Sequence, residues 1–199
     1  MENFWDKRYG KKEFAYGTSP NLFFAEQLEK LQAGKIILPC EGEGRNAVYA
    51  AKHGWKVDAF DFSEEGLNKA IALAGENNVS INYQLADAAT AEYPKESFDA
   101  VALIFAHLPP PARKRLHEKC ITWLKPGGVL ILEAFNTLQI QNTSGGPKEP
   151  AMLYTEEMLK EDFNGLIAKL LTSINTTLSE GEFHQGLADI VRFVGIKQK

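Results

Sequence analysis

Short apolar runs rich in Val, Ile and Leu alternate along this chain with longer stretches of helical period, and that alternation leaves few folds open. Runs of this kind specify strands that cross over through helices into a mainly parallel sheet. The strands predicted are Lys35–Pro39 (KIILP), Lys56–Asp61 (KVDAFD), Ile81–Leu85 (INYQL), Phe98–Ile104 (FDAVALI) and Val129–Phe135 (VLILEAF). Ser63 opens a crossover helix as an N-cap, with Leu67, Ala70, Ile71 and Ala74 at helical spacing. A second helix is predicted from about Pro110 to Leu124, and Lys125-Pro126-Gly127-Gly128 then turns the chain into the fifth strand.

Beyond residue 136 the pattern changes. Asn136 to Pro150 reads as a polar loop, and Thr155 caps a short helix with Glu156 and Glu157 at its positive end. Two β-prone runs follow, about Ala168–Leu178 and Ala188–Ile196, joined as a hairpin by Ser179-Glu180-Gly181-Glu182. The expected fold is therefore α/β, a Rossmann-like doubly wound, mainly parallel seven-stranded sheet with a C-terminal antiparallel hairpin. With 199 residues, 44% of them hydrophobic, the chain has apolar side chain enough for one core. The expectation is one domain: a lid or cap over residues 1–33, a cofactor-binding core over 35–135, and a substrate loop with closing hairpin over 136–199.

Composition narrows the function. No segment approaches the roughly 18 apolar residues of a membrane span, and the start, MENFWDKRYGKK, lacks the apolar stretch of a signal peptide, so a cytoplasmic protein is expected. Cys40 and Cys120 have no metal-ligand spacing, and no metal is expected. A net charge of −4 without a long Lys/Arg run removes the main driving force for nucleic-acid binding. The expected partner is a small molecule, with the protein a monomer or a homodimer.

The segment that carries chemistry is Ile36 to Asp61, IILPCEGEGRNAVYAAKHGWKVDAFD: a strand, a glycine turn, a helix, and a second strand ending in a carboxylate. Gly42 and Gly44 let the backbone turn tightly and approach a ligand. Asp61 can accept two hydrogen bonds from a ribose diol. Gly42-x-Gly44-x-x-Ala47 also satisfies a dinucleotide fingerprint, so NAD and S-adenosylmethionine both fit the spacing. Charge separates them, because a pyrophosphate here would meet Glu41 and Glu43, whereas S-adenosylmethionine brings an ammonium and a sulfonium. Glu41 or the loop backbone can then accept from the ammonium, and Arg45 or the helix N-terminus can meet the carboxylate.

The ordered set of glycine turn, Asp61, Asp87 in LADAAT, FDAVALIFAHLP and LKPGGVLILEAF resembles the class I S-adenosylmethionine-dependent methyltransferases over residues 35 to 135. Trp5-Asp6-x-Arg8-Tyr9, the run Tyr16 to Asn21 and GEGRNAVYAAKHGWKV are most similar to the tellurite-resistance-type and thiopurine-type small-molecule methyltransferases. The resemblance implies a methionine site at Glu41, Gly42, Glu43 and Gly44, the ribose at Asp61, and the base beside Phe62, with Cys40 and Arg45 as further cofactor-binding candidates. It also puts the adenine edge at Asp87 and Ala88, with Tyr16 as a lid and Phe105 as a border of the site. Leu38 and Cys40 depart from the pattern, which has an acidic residue and a glycine there.

On the acceptor side, His107 in FAHLPPP is a candidate general base. A loop-fixing role accounts for it equally well. His184 and Arg192 are candidate substrate contacts, although an exposed strand face also explains Arg192. Methyl transfer from a sulfonium is a direct displacement that needs alignment more than a dedicated catalyst. The function expected is methylation of a small molecule, a thiol or a chalcogen oxyanion such as tellurite. The alternatives are an NAD-dependent oxidoreductase and a non-catalytic S-adenosylmethionine-binding module.

Overall fold

The computed structural model describes residues 2–198. Two short helices, α1 (Glu2–Tyr9) and α2 (Leu22–Leu28), precede β1 (Lys35–Pro39). Then come α3 (Arg45–Lys52), β2 (Lys56–Asp61), α4 (Glu64–Glu76), β3 (Asn82–Leu85), β4 (Phe98–Ile104), α5 (Pro110–Trp123) and β5 (Leu124–Phe135). Two 3-10 turns, α6 (Glu156–Asp162), β6 (Leu166–Glu180) and β7 (His184–Lys197) complete the order.

The seven strands form one sheet in the order β3-β2-β1-β4-β5-β7-β6. β1 to β5 run parallel, while β7 pairs antiparallel with both β5 and β6. The expected architecture is observed. Period-2 alternation feeds two cores. Ile37, Leu130 and Leu132 face α5 and α6 with Phe60, Trp123 and Phe163, whereas Ile36, Leu38 and Ile131 face α2 and α3 with Phe23 and Phe24.

Local chemistry sets the helix starts. The Ser63 hydroxyl accepts from Gly66 N, Thr155 from Met158 N, and Pro110 and Pro111 fill the first turn of α5. The predicted Lys125–Gly128 turn is instead a bulge: β5 already starts at Leu124, paired with Phe98, and regular pairing resumes at Ala100–Val129.

The sheet order reverses between β1 and β4, which makes the carboxyl ends of those strands the switch point at which open sheets of this kind take their ligands. The residue just past each strand, Cys40 (φ 56°) and Phe105 (φ 52°), is left-handed without being glycine. That conformation costs roughly 1–2 kcal/mol per residue, and such strain collects at functional sites. Two open clefts of about 290 and 250 Å³, lined by Leu31 and Trp55, lie at the opposite, amino ends of the strands. No helix among the described residues is long and apolar enough to cross a membrane.

Candidate active site

The glycine turn is held from several sides. Gly42 (φ 61°) donates its N–H to Asp61 Oδ2 at 3.1 Å, and its carbonyl accepts from the Tyr83 hydroxyl at 2.6 Å. A Cβ on Gly42 would stand 2.6 Å from the Tyr9 hydroxyl, and one on Gly44 would stand 2.6 Å from the Ala70 Cβ. Both glycines are therefore demanded by close packing of α1 and α4 as well as by their positive φ. Asp61 Oδ1 accepts from Ser63 N at 3.0 Å, so each carboxylate oxygen takes one amide from an adjacent loop. Burial pushes this carboxyl up to about 6, against the backbone hydrogen bonds that favour its ionised form.

The charged residues of the turn face the protein, which corrects two sequence expectations. Glu41 Oε1 accepts from both Asn46 N and Ala47 N at 2.8 Å, capping α3 itself, so the α3 N-terminus is not open to a ligand carboxylate. Burial raises the Glu41 carboxyl to about 7. Arg45 is spent on the Tyr16 carbonyl (3.2 Å) and Glu180 (2.8 Å). Glu43 accepts from Ala15 N and from Lys69, both at 2.8 Å. Glu43 and Arg45 thus latch the segment around Tyr16 over the turn.

Around this turn stand the other expected cofactor residues. Cys40 and Phe62 are half-buried and Ala88 is buried. Asp87 is exposed, one of its oxygens accepting from Ala89 N at 2.7 Å. Burial, with the Asp61 carboxylate beside it, pushes the Cys40 thiol well above its usual range.

Raised carboxyls fix the sign of one pH effect. Folded-state values of about 7 for Glu41 and 6 for Asp61 lie above their ordinary values, so the folded chain binds more protons through this window. Their contribution to stability is complete below about pH 4 and is lost as pH rises through 6 and 7. Cofactor-free protein is expected to melt higher at pH 5.5 than at pH 8, which scanning calorimetry would show; a flat profile would contradict it. Removing the Tyr83 hydroxyl by Tyr83→Phe frees the Gly42 carbonyl and is expected to cost about 1 kcal/mol of stability, read in a denaturant titration.

At the same end of the sheet, Tyr16, Phe105, Phe135 and His184 pack as one aromatic wall in which Phe135 and His184 are buried. The His184 ring lies 4.4 Å from Tyr16, 4.5 Å from Phe105 and 5.2 Å from Phe135. Arg8 donates to the Tyr16 hydroxyl at 2.9 Å and lies over the Phe183 ring. His184 Nδ1 meets Glu180 Oε2 at 3.2 Å, and burial lowers the imidazole despite that carboxylate.

His107 does not have the geometry of a base. Phe135 N donates to its Nε2 at 3.1 Å, which obliges Nδ1 to carry the proton that meets the Met152 carbonyl at 2.7 Å. Both nitrogens are consumed by backbone, and burial lowers the pKa to about 4. His107 pins the loop after β4 to β5 and to the 3-10 turn at Pro150–Met152. His107→Ala is therefore expected to leave the shape of a pH–rate profile unchanged while lowering the melting temperature; a lost basic limb would reverse the assignment.

Arg192 is likewise not at the wall. It pairs with Glu133 at 2.6 Å and stacks over Phe23 on the α2 side of the sheet. Sequence reasoning missed Glu180, Tyr83 and the buried cluster in which Arg113 and His117 both meet Asp162 Oδ2 at 2.8 Å. Only the Arg113/His117 spacing on α5 hinted at that cluster.

The donor set discriminates between ligands. A pyrophosphate needs the amides that Glu41 already occupies, and it would stand among Glu41, Asp61 and Asp87. A ligand carrying a diol and net positive groups suits the same surroundings. Residues 38–128 match the methyltransferase domain family. The match runs from β1 into β5 and so takes in the glycine turn, Asp61 and Asp87. The cofactor that goes with this fold and family is S-adenosylmethionine.

A ubiquinone biosynthesis O-methyltransferase from Coxiella burnetii is 28% identical over 135 residues, 66% of this chain and 57% of that protein. A phosphoethanolamine N-methyltransferase from Plasmodium falciparum is 27% identical over 125 residues, 61% of this chain and 47% of that protein. The chain thus spans about half the length of these relatives. Among solved structures, TehB from Haemophilus influenzae has the same fold with a TM-score of 0.74 at 17% identity, covering 99% of this chain and 67% of that one. An enzyme solved for the conversion of a disulfide bond into a thioacetal group in echinomycin biosynthesis superposes with a TM-score of 0.78 at 15% identity, covering 100% and 92%.

Proposed function

We propose that this chain transfers the methyl group of S-adenosylmethionine to a small protic acceptor, a thiol or a hydroxyl, bound against the aromatic wall. One observation carries the reading: the Gly42–Asp61 turn and the Tyr16–Phe105–Phe135–His184 wall lie at the same edge of the sheet, around the point where strand order reverses.

In this reading Asp61 accepts from the ribose diol and the backbone of Cys40 to Gly44 follows the methionine portion. Phe62 flanks the base, and Asp87 with Ala88 meets the adenine edge. When bound, the sulfonium supplies an electrophilic methyl group. The chain's own work is alignment and exclusion of water, with Tyr16 and Phe105 bordering the reacting groups. Because Nδ1 faces Glu180, Nε2 is the basic nitrogen of His184 and the group that takes the acceptor's proton.

The wall also bears on substrate charge. An oxyanion such as tellurite needs several free cations, but Arg45 and Arg192 are paired with carboxylates, which leaves Arg8, hydrogen-bonded to the Tyr16 hydroxyl, as the cation beside the wall. An uncharged thiol or aromatic hydroxyl fits rings and one imidazole better. The test is S-adenosylhomocysteine release with benzenethiol, catechol or tellurite as acceptor, beside calorimetric titration with S-adenosylmethionine and NAD. Turnover of the first two acceptors is expected. Turnover of tellurite alone would overturn the acceptor class, and binding of NAD alone would overturn the cofactor.

A further inference from the structure

The β6–β7 hairpin is seated on the N-terminal segment with little freedom. A Cβ on Gly181 would lie 2.5 Å from the Ala15 carbonyl oxygen and from Gly17 N. Glu180, the last residue of β6, is thereby brought beside three donors from three different elements. Its Oε2 accepts from Arg45 Nη2 of α3 at 2.8 Å and faces His184 Nδ1 of β7 at 3.2 Å. Its Oε1 accepts from Nδ2 of Asn21, the N-cap of α2, at 3.0 Å.

The same Asn21 amide reaches Glu133 Oε1 at 2.6 Å, and Glu133 is held in turn by Arg192. Glu180 joins this chain of contacts to the His184 ring of the wall. We propose that Glu180 is a positioning residue that acts through His184, fixing the buried imidazole as its Nδ1–H tautomer so that Nε2, whose edge of the ring lies beside Gly145, stays the basic nitrogen. This rests on the reading of His184 given above.

The chemistry forces the direction of the bond. Burial acts to raise the Glu180 carboxyl, but the His184 contact and the Arg45 guanidinium outweigh it and hold the group at about 2. An ionised carboxylate can only accept, so Nδ1 must carry the hydrogen. The charged groups around the ring are Glu180, Arg45 and Arg8; burial first, and then the two cations, disfavour imidazolium against the pull of Glu180, which leaves the Nδ1–H ring with its lone pair on Nε2.

Ring ¹⁵N shifts of His184 in the cofactor-bound protein report the tautomer directly, and Nδ1–H is expected; Nε2–H would overturn the proposal. In Glu180→Gln the side-chain amide can donate to Nδ1, so the tautomer is expected to invert. With it kcat should fall about 100-fold at little changed KM, while the affinity for S-adenosylhomocysteine stays within about twofold. Glu180→Asp should restore part of the loss. Unchanged kcat and tautomer in Glu180→Gln would overturn the role. His184→Ala separates the two readings: full turnover in that variant removes His184 from the reaction, whereas lost turnover there with normal turnover in Glu180→Gln removes only Glu180.

Discussion

Asp61→Ala is expected to weaken S-adenosylmethionine binding about 100- to 1,000-fold, the largest effect of any single change in the cofactor half. A hydrogen bond to a charged group is worth about 1.5–3 kcal/mol, and a diol offers two of them to this carboxylate. About 1.4 kcal/mol is one decade in Kd. Affinity should also fall as pH drops through about 6, where burial places the Asp61 carboxyl, because the protonated acid offers the diol a poorer acceptor. Isothermal titration at pH 5 and pH 8 checks both statements. An Asp61→Ala protein that still binds within tenfold of the parent would remove Asp61 from the site.

Asp162→Ala is expected to destabilise the fold by about 3–5 kcal/mol without touching the glycine turn. Arg113 and His117 are 3% and 1% exposed and share one carboxylate oxygen at the end of α6. Losing that oxygen strands a buried guanidinium whose Nη1 already lacks a hydrogen-bond partner. For a chain of this size each kcal/mol is about 2–4 °C, so the melting temperature should drop by roughly 10 °C. Cofactor affinity measured well below the melting point should change little. A drop under about 2 °C would show that the cluster is not what binds α5 to α6.

Legibility in the sequence followed the reach of each interaction. β1, β2 and β4 have the residue limits expected, because a strand buried on both faces is an apolar run with abrupt ends. The Lys125–Gly128 segment read as a turn because glycine and proline punctuate turns and bulges alike. α2 was not foreseen, being only seven residues long, and its Asn21 cap is recognisable only once Asn46 and Glu133 are seen around it. Within the site, Gly42, Gly44 and Asp61 are close in sequence and could be found by spacing. Glu180 lies 135 residues from Arg45, and no local pattern marks that pairing. His107 was open to two readings for the same reason: the groups that occupy its nitrogens lie 45 and 28 residues downstream.

The placement of β7 between β5 and β6 has a consequence for biosynthesis. β5 can be covered on its outer side only by β7, and β6 has no other neighbour in the sheet. While the ribosome is still making residues before His184, the nascent chain therefore holds a twelve-residue strand with an open edge and a second strand with nothing to join. Both are templates for pairing with other chains. Any stop or proteolytic cut ahead of β7 should give an aggregating fragment, and chaperone contact during synthesis should persist until β7 emerges and slots between β5 and β6.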